Sequence, residues 1–371
     1  MIDQLHIRGF KRFADQALDL APLVVLAGLN GTGKTSVIHA LVLAREASIE
    51  DSAESIRLNG PVGLELGTAE DVHNWGAEGD IDFDMRHDRD ETTASWRFGV
   101  PANAPEALYL EVAARPDNPP FAFTRASRAF TYLCAERLGP RSVLGASALP
   151  ADALEVGVRG EYCAQVLAAL GDRPLNDTQR LHPEREPGTA PLLKYELERW
   201  LGEIVKAVEI DTESFPGTLV TALRFRAPGG DWVRAPNMGF GVSYALPIVL
   251  AGLVASPGGL LVVENPEAHL HPAGQSRIGV YLAWLAGCGI QVIVETHSDH
   301  VLNGVRRAIG EHRYLPCEHA TVHFFDSDES DTARVTPLLF TAMGGVSDWP
   351  RGFFDQYQID VSALGRIRRQ R

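Results

Sequence analysis

The chain has 371 residues, 45% hydrophobic and 22% charged, with a formal net charge of −14 at pH 7. That length can bury a large core in one domain or two intimate ones, and the balance is ordinary for a globular protein. The acidic surplus excludes a surface that coats nucleic acid indiscriminately, because phosphate contacts need lysine and arginine, though it leaves room for a local basic patch. Cys134, Cys163, Cys288 and Cys317 are widely spaced without a C-x-x-C pair. That spacing suggests neither a zinc ribbon nor a disulfide framework, but free thiols in a reducing compartment. No apolar run reaches the ~18 residues of a membrane span. The N-terminus is charged from Asp3 onward and lacks a signal-peptide core, so the expected location is cytoplasmic, with no membrane partner.

Residues 5–10 alternate as a strand, and 18–20 lead through Pro22 into 23–27, a continuous apolar run of buried-strand type. Then comes Gly28-Leu29-Asn30-Gly31-Thr32-Gly33-Lys34-Thr35, which fits the phosphate-binding pattern G-x-x-x-x-G-K-[ST]. Residues 36–43 follow as a helix with an apolar face. In that strand–loop–helix context, glycines let backbone N–H groups wrap an anion and the helix N-terminus adds positive potential. Asn30, Gly31, Thr32, Gly33, Lys34, Thr35 and Ser36 are the phosphate-binding candidates. Lys34 would reach the β- and γ-phosphates of ATP, and the Thr35 hydroxyl would hold Mg²⁺. Lys11, Arg12 and Phe13 sit at the turn between the first two strands, either near a base or phosphate or as ordinary hairpin surface.

From about residue 46 to 235 the pattern changes. Residues 81–85, 95–100 and 107–112 alternate with period two, and 130–134 continue the trend, which predicts antiparallel strands. Helices are expected over 160–170 and 191–208, the second with an apolar stripe of Leu193, Leu197, Trp200, Leu201, Ile204 and Val208. Between them, 176–188 is polar and proline-punctuated, as an exposed loop would be. No long heptad run is present, so coiled-coil arms are not expected.

The second half returns to alternating strand and helix. A strand over 218–227 precedes a glycine-flanked turn, 238–243, that enters a helix over 244–254. Buried strands are expected at 259–264 and 290–295, helices at 272–286 and 298–309, and final strands at 321–325 and 334–339. The basic tail, 366–371, reads as frayed.

In this order stand a P-loop, a glycine–serine turn, an apolar strand ending in Glu264-Asn265, and one followed by Thr296-His297-Ser298. Together they resemble the ABC-type ATPase heads of the RecF, OLD and SMC group. The stretches ENPEAHLHP (264–272) and WPRGFFDQ (349–356) resemble more closely an uncharacterised family of stand-alone AAA-type ATPases. The resemblance implies an α/β fold: an ABC-type head with a mixed or parallel P-loop sheet flanked by helices, an antiparallel β subdomain and a helical insertion. The core would comprise 1–45 and 236–345, with an inserted lobe at 46–235 and a C-terminal segment at 346–371.

It further implies a homodimer that sandwiches two ATP molecules. Gly239, Gly241 and Ser243 would cap the γ-phosphate from the partner subunit, and His297 would sense it. Glu264 would hold the Mg²⁺ shell with Thr35. Asn265 stands where such heads usually carry the water-orienting glutamate, and an amide cannot accept a proton. Glu267 is the nearest substitute. The His269-x-His271 pair reads as a dimer-contact loop rather than a metal site. No glutamine occurs between Gln16 and Gln165, so Glu70, Asp71 or Asn74 would replace the usual loop glutamine. The expected function is a slow ATPase switch controlling a separate effector protein, in DNA repair or antiphage defence by analogy with the group. Its alternatives are a direct nuclease acting on DNA through Asp326 and Asp328, and a nucleotide-locked scaffold.

Overall fold

The computed structural model describes residues 1–50, 52–60, 62–88, 93–175, 177–215, 217–327, 333–350, 353–354 and 356–369. The chain opens with β1 (Ile2–Phe10), β2 (Phe13–Asp19) and β3 (Leu23–Gly28), and helix α1 (Lys34–Ile49) follows. Next come β4 (Ser55–Arg57), the short α2 (Ala69–Val72), β5 (Ile81–His87), β6 (Thr93–Gly99), β7 (Tyr109–Ala114), β8 (Phe130–Leu133) and β9 (Leu144–Gly145). The middle holds α3 (Cys163–Leu170), α4 (Leu193–Ile204), β10 (Glu209–Ser214), β11 (Val220–Arg226) and β12 (Val233–Arg234). The last part alternates: α5 (Phe240–Val254), β13 (Leu260–Glu264), α6 (Pro272–Gly287), β14 (Gln291–Glu295) and α7 (Asp299–Gly310). It closes with β15 (Ala320–Ser327), β16 (Ala333–Leu339) and α8 (Gln356–Arg369).

The continuous apolar runs lie in a six-stranded sheet of order β16-β15-β3-β14-β13-β8, parallel throughout except for the edge strand β16. Both faces are covered, which is why these strands do not alternate. Val24 and Leu26 of β3 join a core with α1 and the antiparallel sheet, whereas Leu23, Val25 and Ala27 join one with α4, α5, α6 and α7. The second sheet, β2-β1-β5-β6-β7-β4, is antiparallel. Its alternation is visible in β5, where Ile81, Phe83 and Met85 are buried between more accessible neighbours. A third, small sheet of β9 to β12 packs with α3 and α4. The α4 stripe is buried as expected, with Val208 lying beyond the helix end.

Several expectations need correction. Residues 130–134 do not extend the antiparallel series: β8 pairs parallel with β13, and all of its residues are buried. Conversely, β1 and β2 belong to the antiparallel sheet, so the layers exchange segments instead of dividing at residues 45 and 235. Helix α5 starts at Phe240, immediately after a Gly239 held at φ 86°, rather than at residue 244. The basic tail is helical as far as Arg369. The cysteines are free. Among the described residues, no helix is long and apolar enough to cross a membrane.

Parallel strands carry their following loops to one edge of the sheet. The loops after β3, β13 and β14 therefore converge there, and the candidate site lies among them.

Candidate nucleotide site

The loop after β3 turns where only glycine fits. Gly28 has φ 131°, and a Cβ there would lie 2.0 Å from the Phe325 carbonyl oxygen. Gly33, at φ 109°, occupies the N-cap of α1, and a Cβ there would press on the Phe13 ring at 2.6 Å. Phe13 thus supports the loop as a buried wedge. No side chain caps α1, which leaves first-turn amides available to an anion. The Thr32 hydroxyl donates to the Leu29 carbonyl at 2.7 Å and shapes the loop from inside.

A cavity of about 690 Å³ opens over this loop, within the usual range for ligand pockets. Asn30, Gly31, Gly33, Lys34, Thr35 and Ser36 line its floor, and His297 and Glu295 one wall. Lys34 is only 3% exposed, and its Nζ donates to the carbonyls of Gly28 at 3.0 Å and Leu29 at 2.5 Å. Burial lowers the Lys34 pKa, and the nearby Glu295 opposes that shift. Lys11 and Arg12 also face the cavity. The Lys11 amine is pushed down to about 8 by burial, against the pull of Glu264, and lies 2.8 Å from His39 Nδ1.

The Thr35 hydroxyl contacts both oxygens of Glu295, at 3.1 and 3.0 Å. Sequence reasoning assigned no role to Glu295. Its signal was visible, since it ends an apolar strand immediately before Thr296-His297. Burial and the charge of Glu264 push its carboxyl up to about 7, while the Thr35 bond and Lys34 pull the other way. Glu264 stands beside Glu295 on the adjacent strand. Its own oxygens accept from the Tyr132 hydroxyl and the Ala135 N–H, both at 2.9 Å. Burial raises the Glu264 pKa too, with the Tyr132 and Ala135 bonds opposing.

Asn265 has φ 44°, and its N–H donates to the Glu295 carbonyl at 2.9 Å. Its Oδ1 is buried without a partner among the described residues. The turn is fixed by Arg137, which had no recognisable sequence signal. This arginine is 2% exposed and donates to the carbonyls of Glu264 and Asn265, each at 2.6 Å, and of Cys134 at 3.0 Å. Its guanidinium also lies 5.6 Å from the Tyr244 ring of α5. Both Glu267 oxygens face the following loop: one accepts from the Thr296 hydroxyl and the other from the His297 N–H, both at 2.8 Å. It therefore holds the loop that presents His297. Burial and Lys34 keep the His297 imidazole below its ordinary pKa, and its Nε2 lies 3.9 Å from Glu295.

The remaining candidates separate. Gly239, Gly241 and Ser243 do not line the cavity. Phe240, at the tip of their turn, is 53% exposed and stacks on His269 with ring centroids 5.0 Å apart. Ser243 borders a small internal void of about 20 Å³ with Leu223 and Phe225. His271 caps α6 through its ring, and no group of three or more metal-ligating side chains occurs among the described residues. Asp71 lines the cavity while capping α2 through Thr68. The Asn74 amide is spent on Lys11 and Gly76, and Glu70 does not line the cavity. Asp326 accepts from the N–H of Ser327, whereas Asp328 lies outside the described residues.

Three protein-family profiles match parts of the chain. One described as "AAA domain" matches residues 4–98, and one described as "AAA domain, putative AbiEii toxin, Type IV TA system" matches 169–303. A third, "Protein of unknown function (DUF3696)", matches 315–364. No curated protein matches. Among solved structures, the fold is similar to an SMC head bound to the C-winged helix domain of ScpA. That pair shows 12% identity, a TM-score of 0.56 and coverage of 91% of this chain and 97% of that one. It is also similar to the SMC head domain with an extended coiled coil, bound to the C-terminal domain of ScpA, derived from Pyrococcus furiosus. Identity is again 12% and the TM-score 0.56, with 99% of both chains covered. The protein thus has the α/β fold of SMC-type ATPase heads, with AAA-domain segments carrying its P-loop and its β13 strand.

Proposed function

We propose that this protein is an ATP-binding, slowly hydrolysing ABC-type switch that dimerises on ATP and controls a separate effector. The supporting observation is the division of its phosphate-binding groups. The cavity gathers Lys34, Thr35, Glu295 and His297, while the exposed α5 turn around Gly239 stands apart with its helix N-terminus available to a second copy.

The residues fit ATP with Mg²⁺: a glycine cradle, an uncapped helix start, a buried lysine amine and a threonine hydroxyl beside a carboxylate. Thr35 and Glu295 would hold Mg²⁺, with Glu264 as the neighbouring carboxylate. Bound Mg²⁺ would neutralise charge on the transferring phosphoryl group. Lys34 leaves its carbonyl partners for the phosphates, and His297 reports their presence through the loop that Glu267 tethers. Asn265 can orient water but not take its proton, and Glu267 is tied to the Thr296–His297 loop rather than presented at the β13 strand end, so turnover is slow. An ATP-bound dimer then persists until an effector or target releases it. The SMC heads of similar fold are bound to domains of ScpA. A separate protein docking on this head is the corresponding arrangement, with DNA repair or antiphage defence as its setting.

Light scattering with Mg²⁺ and a non-hydrolysable ATP analogue tests the switch. Wild type should become dimeric, whereas Lys34→Ala and Phe240→Glu should remain monomeric. Phe240 is the better probe of the turn than Ser243, whose replacement would disturb an internal void. A dimer equally populated without nucleotide would overturn the reading.

A further inference from the structure

Trp75 is 93% exposed, more than any other large hydrophobic residue among those described, and it lines the same cavity as Lys34. The other tryptophans are covered or paired. Trp96, Trp200 and Trp284 are buried, Trp232 meets Arg226 at 4.5 Å, and Trp349 packs on Phe353 at 4.7 Å. Trp75 makes no ring or cation contact among the described residues. An unpaired indole in water forgoes one of the largest burial gains a side chain offers.

Its backbone is nevertheless held firmly. Asn74 donates from its N–H to the Gly9 carbonyl at 2.9 Å and from Nδ2 to the Lys11 carbonyl at 2.6 Å. The Gly76 N–H returns to Asn74 Oδ1 at 2.9 Å, and the Lys11 N–H donates to Val72 at 2.8 Å. The segment carrying Trp75 is therefore stitched to the β1–β2 turn that brings Lys11 and Arg12 to the cavity. Around the mouth, Leu66, His73 and Trp75 supply apolar and aromatic surface, and the loop below supplies amides and an amine. The cavity lining thus combines phosphate-binding groups with aromatic and apolar surface.

We propose that Trp75 is the stacking platform for the base of the bound nucleotide. This rests on the nucleotide reading above and adds the residue that recognises the base. Stacking of a base on an aromatic ring is lost on alanine substitution at a cost corresponding to roughly 5- to 150-fold in affinity. Inorganic tripolyphosphate carries the phosphate contacts without the base, so the two kinds of contact can be tested separately by calorimetry with Mg²⁺.

Trp75→Ala should weaken ATP binding by a factor in that range and leave tripolyphosphate binding unchanged, while Trp75→Phe recovers most of the ATP affinity. ATP should quench tryptophan emission in wild type more than in Trp75→Phe. Equal effects on ATP and tripolyphosphate, or no effect on either, would overturn the stacking role. Loss of dimer formation in Trp75→Ala with unchanged ATP affinity would also overturn it, by assigning the ring to a subunit contact. Failure of wild type to bind either ligand would instead overturn the nucleotide site itself.

Discussion

Arg137 offers the sharpest test of how the β13 strand end is held. Its guanidinium makes hydrogen bonds to the carbonyls of Cys134, Glu264 and Asn265 in a site almost closed to water. Hydrogen bonds from a charged donor are worth about 1.5–3 kcal/mol each. Removing the donor strands the buried carbonyls, while relieving the cost of desolvating the cation, a cost seen in the lowered Arg137 pKa. The net loss for Arg137→Met, which preserves most of the side-chain bulk, is expected at roughly 3–5 kcal/mol. Arg137→Lys keeps the charge but not the planar fork, and should lose an intermediate amount. Because Asn265 sits at φ 44°, adding Asn265→Gly to Arg137→Met should recover about 1 kcal/mol. Urea unfolding followed by circular dichroism gives these differences. If Arg137→Met unfolds within about 1 kcal/mol of wild type, the carbonyl contacts do not hold the turn.

Other predictions follow from single contacts. Gly28→Ala places a methyl group against the Phe325 carbonyl and should cost roughly 3 kcal/mol or more, read as a lowered thermal midpoint. Asn265→Glu should raise single-turnover hydrolysis by roughly 10²-fold or more by supplying a proton acceptor, and an unchanged rate would show that another group already serves. Glu267→Gln should slow hydrolysis by loosening the Thr296–His297 loop while ATP affinity, measured by calorimetry, stays within a few-fold. Burial and Lys11 push the His39 pKa down to about 3, so the folded state stays unprotonated while the unfolded chain binds a proton below its ordinary value of 6.5. Stability should therefore fall as pH drops from about 6.5 toward 3, by about 1.4 kcal/mol per pH unit for this group. His39→Gln should flatten that slope in denaturation series run at stepped pH.

What could be read along the chain were features whose cause is local. The P-loop has fixed spacing between a strand and a helix, and its glycines are required by positive φ and close backbone approach within that unit. The runs that became β3, β13 and β14 were legible because a strand covered on both faces must be apolar throughout. The α4 stripe was legible because helical period places its residues on one side. Fully buried β8, by contrast, was read with its antiparallel neighbours because nothing in four residues states which strand lies alongside. Arg137 and Trp75 carry no motif: one matters because three carbonyls converge on it, the other because a clamped loop leaves it at the mouth of the cavity.

The two glutamates show the boundary most plainly. Glu264 and Glu295 both end apolar strands, and sequence reasoning gave the metal role to the one in the more familiar surroundings. Tertiary structure places β14 between β3 and β13, so Glu295 is the carboxylate that touches Thr35, while Glu264 stands one strand further away and is held by Tyr132 and Ala135. Strand order is set by how all the layers pack. Two carboxylates with nearly the same local pattern acquire different neighbours for that reason alone.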